Sequence, residues 1–95
     1  MTAAQRKLPK IVVVPYDDLS DQIDGQKTRF KVKRGDNYVP DSLWASWCGI
    51  NQRKNEFFLE VSPDTGEFDT TEVPQIGDTL VVSYTSVEKT HTTYL

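Results

Sequence analysis

The sequence is poor in the residues that give small proteins covalent or metal-based stability. It has one cysteine, Cys48, and one histidine, His91, among 95 residues. A single cysteine excludes an internal disulfide framework. The chain also lacks the spacings typical of metal ligands, of phosphate-binding loops and of a nucleophile on a glycine-flanked turn. We therefore expect no metal, no cofactor and no enzymatic activity.

Long apolar runs are absent as well. The longest extends from Ile11 to Val14 and stops at Pro15, whereas a membrane-spanning helix needs roughly 18 apolar residues. The first ten residues carry basic side chains but no apolar stretch of signal-peptide length. Together with the single cysteine, these features predict a cytoplasmic protein, with a flexible N-terminal arm over residues 1–8.

The residues that are abundant favour a β fold. Valine, threonine and isoleucine make up 24 of the 95 residues, and side chains branched at Cβ fit a pleated sheet better than a helix. Apolar residues are 37% and charged residues 26% of the chain, a mixture typical of a folded domain. At this length we expect one domain, residues 1–95, with a single small core.

Local patterns place the strands. The run Lys10–Val14 is continuously apolar after its first residue, which predicts a strand buried on both faces and ended by Pro15. Residues 27–33, 56–61 and 79–85 alternate between two faces, which predicts half-buried strands. In the last of these strands the predicted inward residues are Leu80, Val82 and Tyr84.

Turn residues connect these strands. Ser62–Gly66 has proline early and glycine late, which predicts a hairpin loop followed by a return strand over residues 67–72. Residues 74–78 form a second turn cluster, and residues 86–89 are predicted to turn again. The last predicted strand, Thr90–Tyr94, has an edge that we expect to pair in a homodimer.

One segment is typical of a helix. Residues 41–48 begin with Asp41 as a candidate N-cap and are followed by Gly49 as a candidate C-cap. Leu43 and Trp47, four residues apart, would then share the face that packs on the sheet. The predicted fold is therefore all-β or β-rich α+β. We expect a small antiparallel barrel or sandwich of five to six strands, OB-like or SH3-like, with one short helix near residues 41–48.

The net charge of −3 hides a strong asymmetry. Residues 1–34 hold eight cations and four acids, whereas residues 35–95 hold three cations and ten acids. Two hypotheses follow. Either the basic part packs against the acidic part and opposite charges pair across neighbouring strands, or the two parts are interaction surfaces.

A basic ladder lies on one face of the strand predicted over residues 27–33. Its members are Lys27, Arg29, Lys31 and Lys33. Same-face residues on a strand are about 6.6–6.8 Å apart, and cations at this spacing can neutralise phosphates along an extended nucleic-acid strand. The ladder supports single-stranded nucleic-acid binding as an alternative function, although the negative net charge argues against it.

The aromatic residues favour a different function. Tryptophan and tyrosine often anchor protein interfaces, and our candidate anchors are Trp44, Tyr38 and Phe58. We expect Trp47 to face the core and Trp44 to be partly exposed. The leading hypothesis is a non-enzymatic interaction module that binds a protein partner, of the adaptor or inhibitor type.

Two further candidate sites are weaker. A pair formed by Cys48 and His91 would make a small cysteine enzyme if the two side chains lay within hydrogen-bond reach. Carboxylates that lie close together suit calcium or magnesium, but the spacing here does not match an EF-hand loop, so a solvated loop is the expectation. The acids concerned are Asp17, Asp18, Asp21 and Asp24.

Overall fold

The computed structural model describes residues 10–88, and its regular secondary structure is mostly β-strand. Short 3-10 helices cover Ser20–Gln22 and Pro63–Thr65. Neither of these helices has the length or the apolar character that crossing a membrane requires. The seven strands are β1 (Lys10–Asp18), β2 (Arg29–Lys31), β3 (Trp44–Trp47), β4 (Ile50–Gln52), β5 (Phe58–Ser62), β6 (Glu67–Thr70) and β7 (Leu80–Glu88).

The strands form two antiparallel sheets. The four-stranded sheet has the order β1-β7-β3-β4, and the three-stranded sheet has the order β2-β6-β5. The prediction of a small, mostly β, antiparallel domain is confirmed. Within residues 10–88 no strand of one sheet pairs with a strand of the other. These residues therefore form no closed barrel, and an OB-like or SH3-like type is not confirmed.

Both sheets contribute inward side chains to one apolar core. In the three-stranded sheet, the ring of Phe68 lies 6.0 Å from that of Phe30 and 6.5 Å from that of Phe58, measured between centroids. Aromatic pairs at such distances add stability beyond the area they bury. The predicted inward face of β7 is confirmed, because its three residues are buried in the same core: Leu80, Val82 and Tyr84.

The helix predicted over residues 41–48 is wrong. Trp44–Trp47 is strand β3, which pairs with β7 on one side and with β4 on the other. Cys48 and Gly49 form the two-residue loop of the β3–β4 hairpin, and their φ angles of 51° and 82° fit a type I′ turn. The predicted N-cap, Asp41, also has a positive φ of 68°. Pairing with two neighbouring strands therefore decides the conformation of this segment.

Strand β1 is half-buried rather than buried on both faces. Ile11 and Val13 are 66% and 70% exposed, because the described chain places no layer over the outer face of this edge strand. Pro15 does not end the strand, which continues to Asp18 through a β-bulge after Val14. An edge strand tolerates proline at a bulge because the missing N–H is not needed for the ladder.

The predicted connections are confirmed in part. The Ser62–Gly66 hairpin joins β5 to β6, and Gly66 has the left-handed φ of 79° that the turn requires. The turn predicted over residues 86–89 is wrong for residues 86–88, which continue β7 along β1. The strand and dimer edge predicted over Thr90–Tyr94 lie outside the described residues, as does the arm predicted over residues 1–8.

A buried carboxylate ties β1 to β7 and to the turn after β2. Asp17 is 1% exposed, and its Oδ2 accepts hydrogen bonds from the backbone N–H groups of Lys33 and Arg34, at 2.9 Å each. The same oxygen accepts a hydrogen bond of 2.6 Å from the hydroxyl of Tyr84. That hydroxyl in turn accepts one of 2.8 Å from Gly35 N. Burial, together with the hydrogen bond to Asp17, raises the pKa of Tyr84.

Candidate functional site

The β3–β4 hairpin opens into a fork at the end away from its turn. The two strands pair as far as Ala45 opposite Gln52 and then separate. β3 is held by β7 on its other side, whereas the chain after β4 crosses to the three-stranded sheet, where Lys54 bridges to Phe58. Because the start of β3 stays beside β7 while the chain after β4 joins the other sheet, the two segments diverge and leave a groove between them.

The groove has a volume of about 430 Å³ and a mainly apolar lining. Leu43 and Phe58 are buried and form its floor, and Trp44, which is 64% exposed, stands at its side. Asn51 and Gln52 add amide groups to the wall. A concave, apolar site with a few polar groups is the usual form of a ligand pocket.

Charged side chains form the rim of the groove. Lys54 Nζ makes ion pairs with Asp41 Oδ1 and, at 3.6 Å, with Glu60 Oε1. Glu60 also accepts hydrogen bonds of 3.0 and 3.2 Å from Asp41 N. The hydrogen bond to Asp41 is the main cause that raises the pKa of Lys54. Arg53 is different, because its one ion pair within residues 10–88 is an exposed contact of 3.8 Å with Glu56.

The outer face of the four-stranded sheet adjoins the groove and is almost free of charge. Residues directly opposite in an antiparallel pair point to the same side of the sheet, so the strand registers identify the outward residues. Asp18, near one end, is the one charged residue that these registers place on this face in the described chain. The uncharged outward residues are Ile11, Val13, Trp44, Ser46, Asn51, Val81, Ser83, Thr85 and Val87.

Of the three predicted anchors, Trp44 is exposed and the other two are not. The surface role assigned to Tyr38 and Phe58 is corrected, since they are 2% and 1% exposed and belong to the core. Tyr38 donates a hydrogen bond of 2.6 Å to Glu67 O, and burial raises the pKa of Tyr38 to about 12. Trp47 is half-buried against the core, in line with its predicted orientation.

Two members of the basic ladder are neutralised within the fold. Arg29 donates hydrogen bonds of 2.5 and 3.1 Å to the two carboxylate oxygens of Asp69, its partner across β2 and β6. Lys33 Nζ lies 2.8 Å from Asp21 Oδ2, and this hydrogen bond raises the pKa of Lys33. The Arg29–Asp69 pair joins the basic and acidic parts across neighbouring strands, as the first charge hypothesis predicted, whereas the Lys33–Asp21 pair lies within the basic part.

The other two members are less constrained. Lys27 Nζ lies 5.3 Å from the centroid of the Phe30 ring, a cation–π distance. Lys31 makes no ion pair within residues 10–88. Phe30 and Val32 are buried, as the predicted alternation requires, but β2 covers only Arg29–Lys31, so Lys27 and Lys33 lie outside the strand. The ladder is therefore shorter than predicted, and Arg29 and Lys33 are already paired with acids of the same chain.

The four clustered acids have structural partners. Hydrogen bonds from Ser20 lower the pKa of Asp18, and backbone hydrogen bonds from Lys27 and Gln26 lower that of Asp24. The other two acids contribute the ion pair with Lys33 and the buried carboxylate described above. Across residues 10–88, no three side chains of histidine, cysteine, aspartate or glutamate are grouped so as to hold a metal ion.

Sequence reasoning missed most of the groove. The helix prediction misplaced Asp41 and Leu43, and it hid the fork that brings them near Arg53 and Lys54. One signal was present, because Arg53 and Lys54 are the sole cations between residues 35 and 88. The cysteine–histidine pair stays a prediction: Cys48 is exposed in the β3–β4 turn, and its proposed base lies outside the described residues.

Comparisons with known protein families, with curated proteins and with solved structures gave no match to this chain.

Proposed function

We propose that this domain is a non-enzymatic module that binds a protein partner through Trp44, as an adaptor or an inhibitor. One observation carries the proposal: a large aromatic side chain is 64% exposed where an apolar groove meets a sheet face that is almost free of charge. Tryptophan is enriched among the residues that dominate binding energy at protein interfaces.

The exposed area of Trp44 indicates how much affinity it can supply. A buried aromatic side chain removes about 150–250 Å² from water, and about two-thirds of that is still exposed here. At about 25 cal/mol per Å², covering the remainder contributes about 2.5–4 kcal/mol. This range matches the energies of interface hot spots, and its loss corresponds to an affinity decrease of roughly 60- to 700-fold.

The charges around the groove suit recognition better than chemistry. Asp41, Lys54 and Glu60 hold one another, so they can fix the shape of the rim and orient a partner. Nucleic-acid binding through the basic ladder is supported less well, because Arg29 and Lys33 are already paired with acids.

A comparison of matched variants tests the proposal. Wild-type protein, Trp44→Ala and Ile76→Ala are immobilised and exposed to a lysate of the native host, and a retained protein is identified, purified and titrated. Ile76 is the control because it is 79% exposed but lies outside the groove and the uncharged face. We expect Trp44→Ala to weaken binding roughly 100-fold and Ile76→Ala to leave it unchanged.

The stability of the variants decides how a loss of binding is interpreted. Trp44 is mostly exposed, so Trp44→Ala should unfold in urea within about 1 kcal/mol of the wild type. Trp44→Thr, which keeps a high strand propensity, serves as a second variant if the alanine form is less stable. The proposal is refuted if a purified partner binds folded Trp44 variants as tightly as it binds the wild type.

Other expectations stay predictions beside this proposal. They are an OB-like or SH3-like arrangement of the two sheets, a cytoplasmic location, and a homodimer through the Thr90–Tyr94 edge. A solution mass at the monomer value would contradict the dimer.

A further inference from the structure

We infer that the partner presents an extended acidic peptide, which enters the fork of the β3–β4 hairpin as an added strand. The peptide main chain would bond to Leu43, an apolar side chain would rest beside Trp44, and a carboxylate would meet Arg53. This inference rests on the proposed function and specifies which ligand occupies the same groove.

The register of β3 shows where its backbone groups point. In an antiparallel pair, opposite residues alternate between hydrogen-bonded and non-bonded pairs, and a two-residue turn makes Trp47 and Ile50 a bonded pair. Cys48 N donates to Thr79 O at 2.9 Å, so even-numbered residues here bond toward β7 and odd-numbered residues point toward β4. Leu43 comes two residues before Ala45 and directly precedes β3. The same alternation, continued to Leu43, directs its N–H and C=O into the fork.

Two other positions at strand edges are closed by side-chain amides of the same chain, whereas the backbone groups of Leu43 are not. The side-chain amide of Gln22 bonds both the N–H and the C=O of Lys31, at 3.1 and 2.7 Å. The amide of Asn37 does the same for Val87, at 2.9 and 2.7 Å. Neither backbone group of Leu43 has a hydrogen-bond partner among residues 10–88. Because these groups face the groove, an extended ligand strand would pair with them in place of water.

Acids outnumber cations around the groove, but one of the two cations is held only weakly by the chain's own acids. Lys54 is already shared between Asp41 and Glu60, so it attracts a further anion weakly. Arg53 is exposed, and its contact of 3.8 Å with Glu56 is an exposed pair of the kind that contributes little. A guanidinium binds a carboxylate through two parallel hydrogen bonds, which makes Arg53 the group that a peptide carboxylate would meet.

Selection from a displayed library of random short peptides tests the inference. The full chain is the target, and peptides that also bind Trp44→Ala are discarded. We expect the enriched peptides to share an aspartate or glutamate at a fixed distance from an apolar residue, with few prolines. The best peptide is then synthesised with and without N-methyl groups on its backbone, which remove hydrogen-bond donors and leave the side chains unchanged.

Titrations of the synthetic peptide give the decisive comparison. N-methylation at one position, and Arg53→Glu in the protein, should each weaken binding at least tenfold. Lys31→Glu is the matched control, because it makes the same charge change on an exposed strand of the other sheet, and it should alter affinity less than threefold. Replacing the peptide acid by lysine should restore part of the binding to Arg53→Glu.

Several results would overturn the inference. Equal losses in Arg53→Glu and Lys31→Glu would mean that only net charge matters, and tolerance of N-methylation at every position would exclude an added strand. Binding of an oligosaccharide or oligonucleotide that depends on Trp44, with no peptide enriched, would assign the groove to another ligand. If a folded partner protein binds through Trp44 but no extended peptide does, the proposed function stands and this inference fails.

Discussion

Replacing Tyr84 by phenylalanine should destabilise the domain by about 2.5–4 kcal/mol while leaving the groove unchanged. The substitution keeps the ring and removes a hydroxyl that donates to Asp17 Oδ2 at 2.6 Å and accepts from Gly35 N at 2.8 Å. A hydrogen bond to a charged group contributes about 1.5–3 kcal/mol, and an orphaned buried N–H costs about 1–3 kcal/mol. The lower part of the summed range applies, because Asp17 keeps two backbone donors.

Urea unfolding of the wild type and Tyr84→Phe measures the change, and the melting temperature should fall by roughly 10 °C or more. Tyr16→Phe is the control, since Tyr16 is an exposed tyrosine on β1, and it should change stability by less than about 0.5 kcal/mol. Combining Tyr84→Phe with Asp17→Asn should give a non-additive loss, because the two groups share one network. A loss below about 0.5 kcal/mol in Tyr84→Phe would refute the structural role given to this hydroxyl.

Three further predictions concern the turn, the tyrosines and the ladder. Cys48→Asn should stabilise the hairpin by about 0.5 kcal/mol in urea unfolding, because Asn-Gly is preferred in a type I′ turn; a clear loss would contradict the turn type. The raised pKa of Tyr38, about 12, lies above the unfolded value of about 10. The folded state therefore keeps the Tyr38 proton to higher pH than the unfolded state does. The free energy of unfolding should be highest below about pH 10 and decline at higher pH by up to about 1.4 kcal/mol per pH unit. Tyr38→Phe should reduce that slope. On a single-stranded oligonucleotide column at about 50 mM salt, the chain should be retained weakly, because Arg29 and Lys33 are paired; strong, salt-sensitive retention that Lys31→Ala abolishes would favour the nucleic-acid alternative.

The parts of the fold that follow from short-range patterns could be predicted. One such pattern is the alternation of apolar residues along β7, and another is the proline followed by glycine in Ser62–Gly66. Both depend only on neighbours in the sequence, and the structure has the strand and the turn that they predict. Residues 43–47 could not be assigned in this way, because Leu43 and Trp47 fit a helical spacing of four and a strand spacing of two equally well. The pairing with β7 decides between them, and that contact joins residues far apart in the chain.

The candidate site was predictable only at Trp44. Whether an aromatic residue is exposed depends on which face of its strand the second sheet covers. The sequence does not decide which face of β5 is buried, because the charged Glu60 lies on the same face as Phe58. Glu60 can occupy that face because Lys54 and Asp41 N satisfy its carboxylate. That long-range arrangement has no local signature, and it also explains why the groove was not foreseen.

The amides of Gln22 and Asn37, which occupy the backbone groups of Lys31 and Val87, have one more consequence. Neither amide gains or loses a proton in ordinary buffers, so acidity cannot open the positions that they cover. Both positions therefore stay closed to an added strand across the ordinary pH range, which protects them from pairing with the edge of a second chain.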